Sequence, residues 1–289
     1  MHYSRSPFRR PTDLGFAIRM LTLACFVVGW TDRFREPILA QDAVPTSAVR
    51  QEALSNSSVE VFRQEDRLYL SVLAPGTAAK RITLPRLYAT VSRWGWLGAA
   101  ESKIDLIPEP DTWALEWTQT PTETNVMVMD LELSVEPLTQ PPMIGATADG
   151  SIGLAAYQAK TTGQRVRYEP QPHKNTIGYW TDAEGCAVWD FQVEQPGHFA
   201  VAILQGCGAG QGGSEAEIAV SQAGTVLAPL PFEIEETGHF QNFKWRTVGQ
   251  LELKSAGTYE LKLAAIKIAN AALVDVRAIH LVRQATAEK

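Results

Sequence analysis

The sequence predicts an all-β protein made of two antiparallel β-sandwich domains. Short apolar runs alternating with period two recur from Val59 to Val282, and polar or Gly/Pro-containing turns separate them. No stretch shows a capped amphipathic helix of useful length, so sheets packed on sheets are the economical architecture. A chain of 289 residues, 45 % hydrophobic and 20 % charged, is long enough for two such cores.

Residues 1–40 read as an export signal. Arg5, Arg9, Arg10 and Arg19 precede the apolar run Met20 to Trp30, and Ile38-Leu39-Ala40 offers small-residue cleavage before Gln41. That run is short for a bilayer and no later segment approaches spanning length. The expectation is a secreted or periplasmic product with no stable membrane span after cleavage. Cys25 is a weak lipoprotein signal because Thr22 stands where leucine is usual, and Pro11 spoils Arg9-Arg10 as a twin-arginine pair.

Residues 41–58 form a spacer, followed by a first sandwich over 59–135. Its strands are expected at Val59–Phe62, Leu68–Val72, Arg81–Leu84, Ile104–Ile107, Trp113–Trp117 and Asn125–Leu131. Residues 136–150, with Pro137, Pro141 and Pro142, make the natural linker. A second sandwich occupies 151–283, with strands at 152–159, 163–168, 186–193, 198–205, 215–220, 225–229, 243–253, 257–265 and 271–282, before a tail at 284–289. No fixed period of about 20 to 50 residues appears, which argues against a solenoid or propeller.

In the second domain the apolar run Cys186, Val188, Trp189-Asp190-Phe191, Val193 precedes Pro196-Gly197, and Phe199, Val201 and Ile203 alternate after it. Pro supplies a fixed φ and Gly the positive φ of a type II turn. A hairpin centred there sets Cys186 opposite Cys207. With Cys25 removed, two cysteines in an oxidising compartment suit one disulfide; the alternative is two unpaired thiols, because a directly cross-strand bridge is strained.

Charge and motifs exclude several functions. A net charge of −6 without a basic cluster argues against a nucleic-acid partner. Asp182 with Glu184 and Glu233 with Glu235 are the candidate carboxylate pairs for glycoside hydrolysis, yet each reads as solvated loop or strand edge. His2, His173, His198, His239 and His280 show no metal-ligand spacing. Gly208, Gly210 and Gly213 satisfy G-x-G-x-x-G, but Glu215 to Val220 alternates as a strand, leaving no helix N-terminus for a pyrophosphate. There is no G-x-S-x-G elbow.

Aromatics beside polar loop residues are the informative set: Tyr179 and Trp180 before one strand, Phe240, Phe243 and Trp245 around another. Sugar C–H patches pack on such rings while their hydroxyls bond nearby polar groups. Trp189, in mid-strand, reads as core.

Residues 151–283 resemble the carbohydrate-binding modules built on the galactose-binding-like jelly roll, in Ile177-Gly178-Tyr179, Pro196-Gly197, Thr237-Gly238-His239-Phe240-Gln241-Asn242-Phe243, Ala256-Gly257-Thr258-Tyr259 and Val274-Asp275-Val276-Arg277-Ala278-Ile279. The resemblance implies a loop-end site in which Tyr179 and Phe240 clasp a sugar, with Trp180, His239, Gln241 and Asn175 alongside. It also matches Asp275 to an acid associated with a structural calcium, no other cofactor being implied. Three departures stand out: Phe240 replaces the usual tryptophan, Leu273 sits where an asparagine often bonds the ligand, and Leu154-Ala155-Ala156-Tyr157 lacks the glutamate that helps hold calcium. Residues 59–133 resemble the C-terminal β-sandwich of family 29 α-L-fucosidases, in Val61-Phe62-Arg63-Gln64-Glu65-Asp66-Arg67-Leu68-Tyr69, Ile82-Thr83-Leu84-Pro85 and Leu97-Gly98. Those enzymes carry their carboxylates in a barrel ahead of this sandwich, where this chain has a signal segment and a spacer.

The resulting expectation is a secreted accessory protein that binds carbohydrate or polysaccharide without hydrolysing it. The alternatives are an α-L-fucosidase-related glycoside hydrolase, a non-catalytic subunit of a separate glycosidase chain, and a structural or protein-interaction module.

Overall fold

A computed structural model describes residues 44–73, 80–227 and 229–284; the segment expected to be an export signal, Cys25 included, lies outside the described residues. The first half contributes β1 (Val49–Arg50), β2 (Val59–Gln64), β3 (Arg67–Val72), β4 (Arg81–Pro85), β5 (Ala89–Trp96), β6 (Ile104–Pro108), β7 (Thr112–Trp117) and β8 (Val126–Ser134). One antiparallel sheet runs β1-β2-β3-β8-β5 and the other β4-β7-β6. Period-two alternation explains the pairing of faces: Val59, Val61, Leu68 and Leu70 are buried from one sheet, Ile82, Leu84, Leu106 and Leu115 from the other.

The second half contributes β9 (Met143–Ile144), β10 (Ile152–Ala155), a 3-10 turn at Ala156–Gln158, β11 (Lys160–Thr162), β12 (Arg167–Glu169), β13 (Thr176–Gly178) and β14 (Cys186–Val193). It continues with β15 (Gly197–Gly206), β16 (Glu215–Gln222), β17 (Thr225–Val226), β18 (Leu230–Glu233), β19 (Lys244–Leu253), β20 (Gly257–Lys267) and β21 (Asp275–Arg283). One sheet runs β12-β13-β21-β15-β19 with β10 also on β21; the other runs β11-β14-β20-β16-β17 with β18 on β16. The segment expected as linker supplies β9, which pairs parallel with β14.

The two sandwiches share a continuous apolar cluster. Arg86, buried where they meet, donates to the Ala159 carbonyl at 2.6 Å and stacks 4.3 Å from the Tyr88 ring centroid. Burial in this apolar setting lowers its pKa, against the opposing pull of the Tyr88 and Tyr168 hydroxyls.

The expected hairpin about Pro196-Gly197 does not form. Both runs are strands, but β14 pairs with β20, from Cys186 opposite Ala264 to Val193 opposite Gly257, while β15 pairs with β21 and β19 in the facing sheet. The Pro-Gly step therefore carries the chain from one sheet to the other. Alternation dictates which side chains turn inward, and both runs satisfy it; it does not dictate the partner strand.

The Cys186–Cys207 bridge falls with the hairpin. Both cysteines are free and buried. Cys186 Sγ lies 2.9 Å from Thr162 Oγ1, whereas the Cys207 N–H donates to Thr237 Oγ1 at 2.8 Å. Burial pushes the Cys207 thiol up to about 11.

Candidate functional site

One end of the second sandwich gathers most of the residues singled out by sequence. The register sets Arg167 opposite Gly178, Ile177 opposite Val276, and Gly206 opposite Asp275. Arg167, Gly178, Asp275 and Gly206 thus form a row across β12, β13, β21 and β15. At the usual strand spacing that row is about 15 Å long.

Tyr179 follows β13 directly. Its backbone is left-handed, at φ 55°, and its side chain is 41 % exposed. Such a φ is uncommon for a non-glycine residue and persists where surroundings enforce it. Here the Arg167 guanidinium carbon sits 3.4 Å from the Tyr179 ring centroid, with Lys174 Nζ at 5.8 Å. The cation–π contact braces the ring.

Trp180 is not a sugar-facing ring. It is fully buried, its Nε1–H donates to the Gly185 carbonyl at 3.0 Å, and its own carbonyl accepts the Leu273 N–H at 2.8 Å. Asn175 is half-buried, with φ 43°, and its Oδ1 accepts the Tyr168 hydroxyl at 2.9 Å.

Phe240, His239 and Gln241 lie on the other flank of β21, on the loop after β18. The loop is held by a bridge between Gly208 and Gly238 and by Thr237 Oγ1 donating to the His239 carbonyl at 3.0 Å. A Cβ at Gly208 would come within 2.9 Å of the Phe240 ring, so glycine is what lets that ring lie against the chain just past the end of β15. Phe240 and Gln241 are half-buried; His239 is exposed, and its Nδ1 accepts the Gln241 N–H at 3.1 Å.

Arg277 reaches the same end through a β-bulge. Leu204 faces Ala278 and Gln205 faces Val276, which leaves Arg277 as the extra residue on β21. Its guanidinium stacks 4.0 Å from the Phe243 centroid and donates to the carbonyls of Lys174 and His173 at 2.8 and 2.9 Å.

Two carboxylates are packed against Gly178. Glu169 is 3 % exposed and Asp275 7 %. A Cβ at Gly178 would lie 2.8 Å from Asp275 Oδ1 and 3.0 Å from Glu169 Oε2, so a side chain there would displace both. Lys174 Nζ bonds Glu169 Oε1 at 2.6 Å. Burial, reinforced by Glu169 and opposed by Lys174, pushes the Asp275 carboxyl up to about 8.

These residues do not fit the calcium implied for Asp275. Calcium takes six to eight oxygen ligands, and among the described residues no three of His, Cys, Asp and Glu cluster as a metal site. Of the two carboxylates present, Glu169 already holds an ammonium group of this chain's own, that of Lys174.

Arg167, Glu169, Lys174 and Arg277 were not singled out from sequence. Arg167 and Glu169 flank Tyr168, so period two alone puts them on one face; their contacts with Tyr179 and Asp275 come from β12 pairing with β13 and β13 with β21. The surface carboxylate pairs do not assemble into a site: Asp182 Oδ1 accepts the Gly185 N–H at 2.9 Å, and Glu235 pairs with Arg246 at 2.6 Å.

No family model matches the chain. No curated protein matches it. Among solved structures it is similar to the α-L-fucosidase of Vibrio sp. strain EJY3, with TM-score 0.32 and 15 % identity over 81 % of this chain and 41 % of that one. It is also similar to the C-terminal CBM6 of LamC, a marine laminarinase from Zobellia galactanivorans, with TM-score 0.38 and 16 % identity over 46 % of this chain and 99 % of that one. A third is CsCBM6-3 from Clostridium stercorarium, solved in complex with cellobiose, with TM-score 0.36 and 14 % identity over 50 % of this chain and 98 % of that one. The chain spans less than half the length of the fucosidase.

Proposed function

We propose that the protein is an exported, non-catalytic carbohydrate-binding protein whose glycan contact lies at the Tyr179–Phe240 end of the second sandwich. The observation that carries this reading is Tyr179: an aromatic ring left 41 % exposed on a left-handed backbone and held there by Arg167. Phe240 lies on the other flank of β21, its ring against Gly208, with Asn175, His239 and Gln241 as the polar groups of the same end. Burying about 50 to 80 Å² of sugar on one ring contributes about 1 to 2 kcal/mol. Two rings make a weak module that works by avidity.

A glycan array on the mature chain, followed by calorimetry, tests the site. Tyr179→Ala and Phe240→Ala should each weaken binding about tenfold, the equivalent of about 1.4 kcal/mol, with melting temperatures near wild type. Normal binding by both variants would place the site elsewhere.

The Glu169–Asp275 pair favours a second reading, because two close carboxylates, one with a raised pKa, are the machinery of a glycosidase. Against it, both groups are nearly excluded from solvent and Glu169 is bound by Lys174. Chromogenic fucosides and a panel of aryl glycosides should show no turnover; turnover abolished by Asp275→Asn would establish the enzyme instead.

A further inference from the structure

Resting on that reading, we infer that the glycan taken at this end carries an anionic oxygen group, a carboxylate or a sulfate ester, received by Arg167. The Arg167 guanidinium forms no ion pair among the described residues, and its Nε is buried without a hydrogen-bond partner. Glu109 acts on it through space but is already held by Arg81 at 2.7 Å and Thr112 at 3.0 Å. Stacking on Tyr179 uses the face of the guanidinium and leaves in-plane N–H donors, the geometry that takes a carboxylate or sulfate by two parallel bonds.

The surroundings keep the charge uncompensated. Of the carboxylates at this end, Glu169 is matched by Lys174, and Asp275 is packed against Gly178 and nearly excluded from solvent. Arg277, spent on main-chain carbonyls and the Phe243 ring rather than on an acid, adds a second cation to the same row of strand ends. A chain of net charge −6 therefore presents a local cationic spot beside its exposed tyrosine. The hydroxyls of a neutral sugar can accept from the guanidinium but leave its charge uncompensated, whereas an oxyanion accepts the same bonds and compensates the charge.

Matched glycans separate this inference from the reading beneath it. Titrate oligogalacturonate against its methyl ester, and carrageenan oligosaccharides against agarose oligosaccharides, into wild type, Arg167→Gln and Arg167→Lys, with thermal melts alongside. One acidic member should bind wild type at least tenfold tighter than its neutral counterpart, the preference shrinking as salt rises. Arg167→Gln should abolish that preference, so that acidic and neutral members of each pair bind alike, and Arg167→Lys should retain only part of it. Preference for the carboxylate pair or the sulfate pair identifies the anion. Equal binding of acid and neutral members by wild type overturns the inference while leaving the carbohydrate reading intact, even if the variants fail to fold. If a glycan array also detects no binding of any sugar, the carbohydrate reading fails and the inference with it.

Discussion

In the first sandwich Arg50, Arg63, Arg67, Arg81 and Arg93 each lie against a carboxylate, whereas at the loop end of the second Arg167 and Arg277 lie against aromatic faces. Their aspartates differ in the same sense. Burial acts to raise Asp130, but hydrogen bonds from Arg67 and Arg93 hold it below the usual carboxylate range. Asp275, with no such partner, is driven up to about 8. Exposed ion pairs add little stability, but they silence charge. Where the chain instead stacks its guanidinium groups on rings and leaves a carboxyl to be neutralised by its own proton, charge and donors remain for something outside the chain.

Trp180, fully buried at the same end, packs rather than binds, and its loss has the largest expected effect. Trp180→Ala should cost about 3 to 5 kcal/mol and lower Tm by on the order of 10 °C or more. Thermal unfolding followed by circular dichroism measures it; a variant with wild-type Tm that no longer binds glycan would return Trp180 to the site and break the comparison.

Next come the two aspartates, whose pH dependences should run in opposite directions. An unfolded aspartate titrates near pH 3.9. Between about pH 4 and the raised value of about 8, folded Asp275 keeps a proton that the unfolded chain has lost, so its contribution is full below that window and fades as pH rises. Asp130, depressed in the fold, contributes above the unfolded pKa and loses that contribution as pH falls through its folded value. Asp275→Asn should flatten the alkaline limb of a Tm–pH profile and gain about 1 to 3 kcal/mol at pH 8.5, by removing a buried charge. Asp130→Asn should flatten the acid limb only. Identical profiles for the two variants would erase the distinction.

Removing a silenced charge should do much less. Arg81, paired with Glu109 and Glu116 at 2.7 and 2.6 Å on an exposed edge, should cost less than about 1 kcal/mol as Arg81→Ala. The smallest effect belongs to the cysteines: reductant should leave Tm unchanged, and alkylation of the unfolded, unreduced chain should label both Cys186 and Cys207. Protection of both thiols until reduction would restore the bridge.

What the sequence by itself determined is local. Alternation in Val59–Gln64, Cys186–Val193 and Gly257–Lys267 marks strands and their inward faces, because adjacent side chains of a strand point opposite ways wherever the strand lies. The loop location of Tyr179 and Phe240 was legible for the same reason. Strand β5 escaped that reading: Ser92 and Arg93 interrupt its apolar pattern and its pairing with β8 shifts register twice, so the strand does not keep strict period two. Tertiary structure decided which strands meet. It sent β14 and β15 to opposite sheets and parted Cys186 from Cys207; it also buried Trp180, set Arg167 on Tyr179, and brought Glu169 from β12 to Asp275 on β21 across Gly178. Partner choice depends on the closing of two whole cores, a sum over residues far apart in sequence, and no window of alternating side chains contains it.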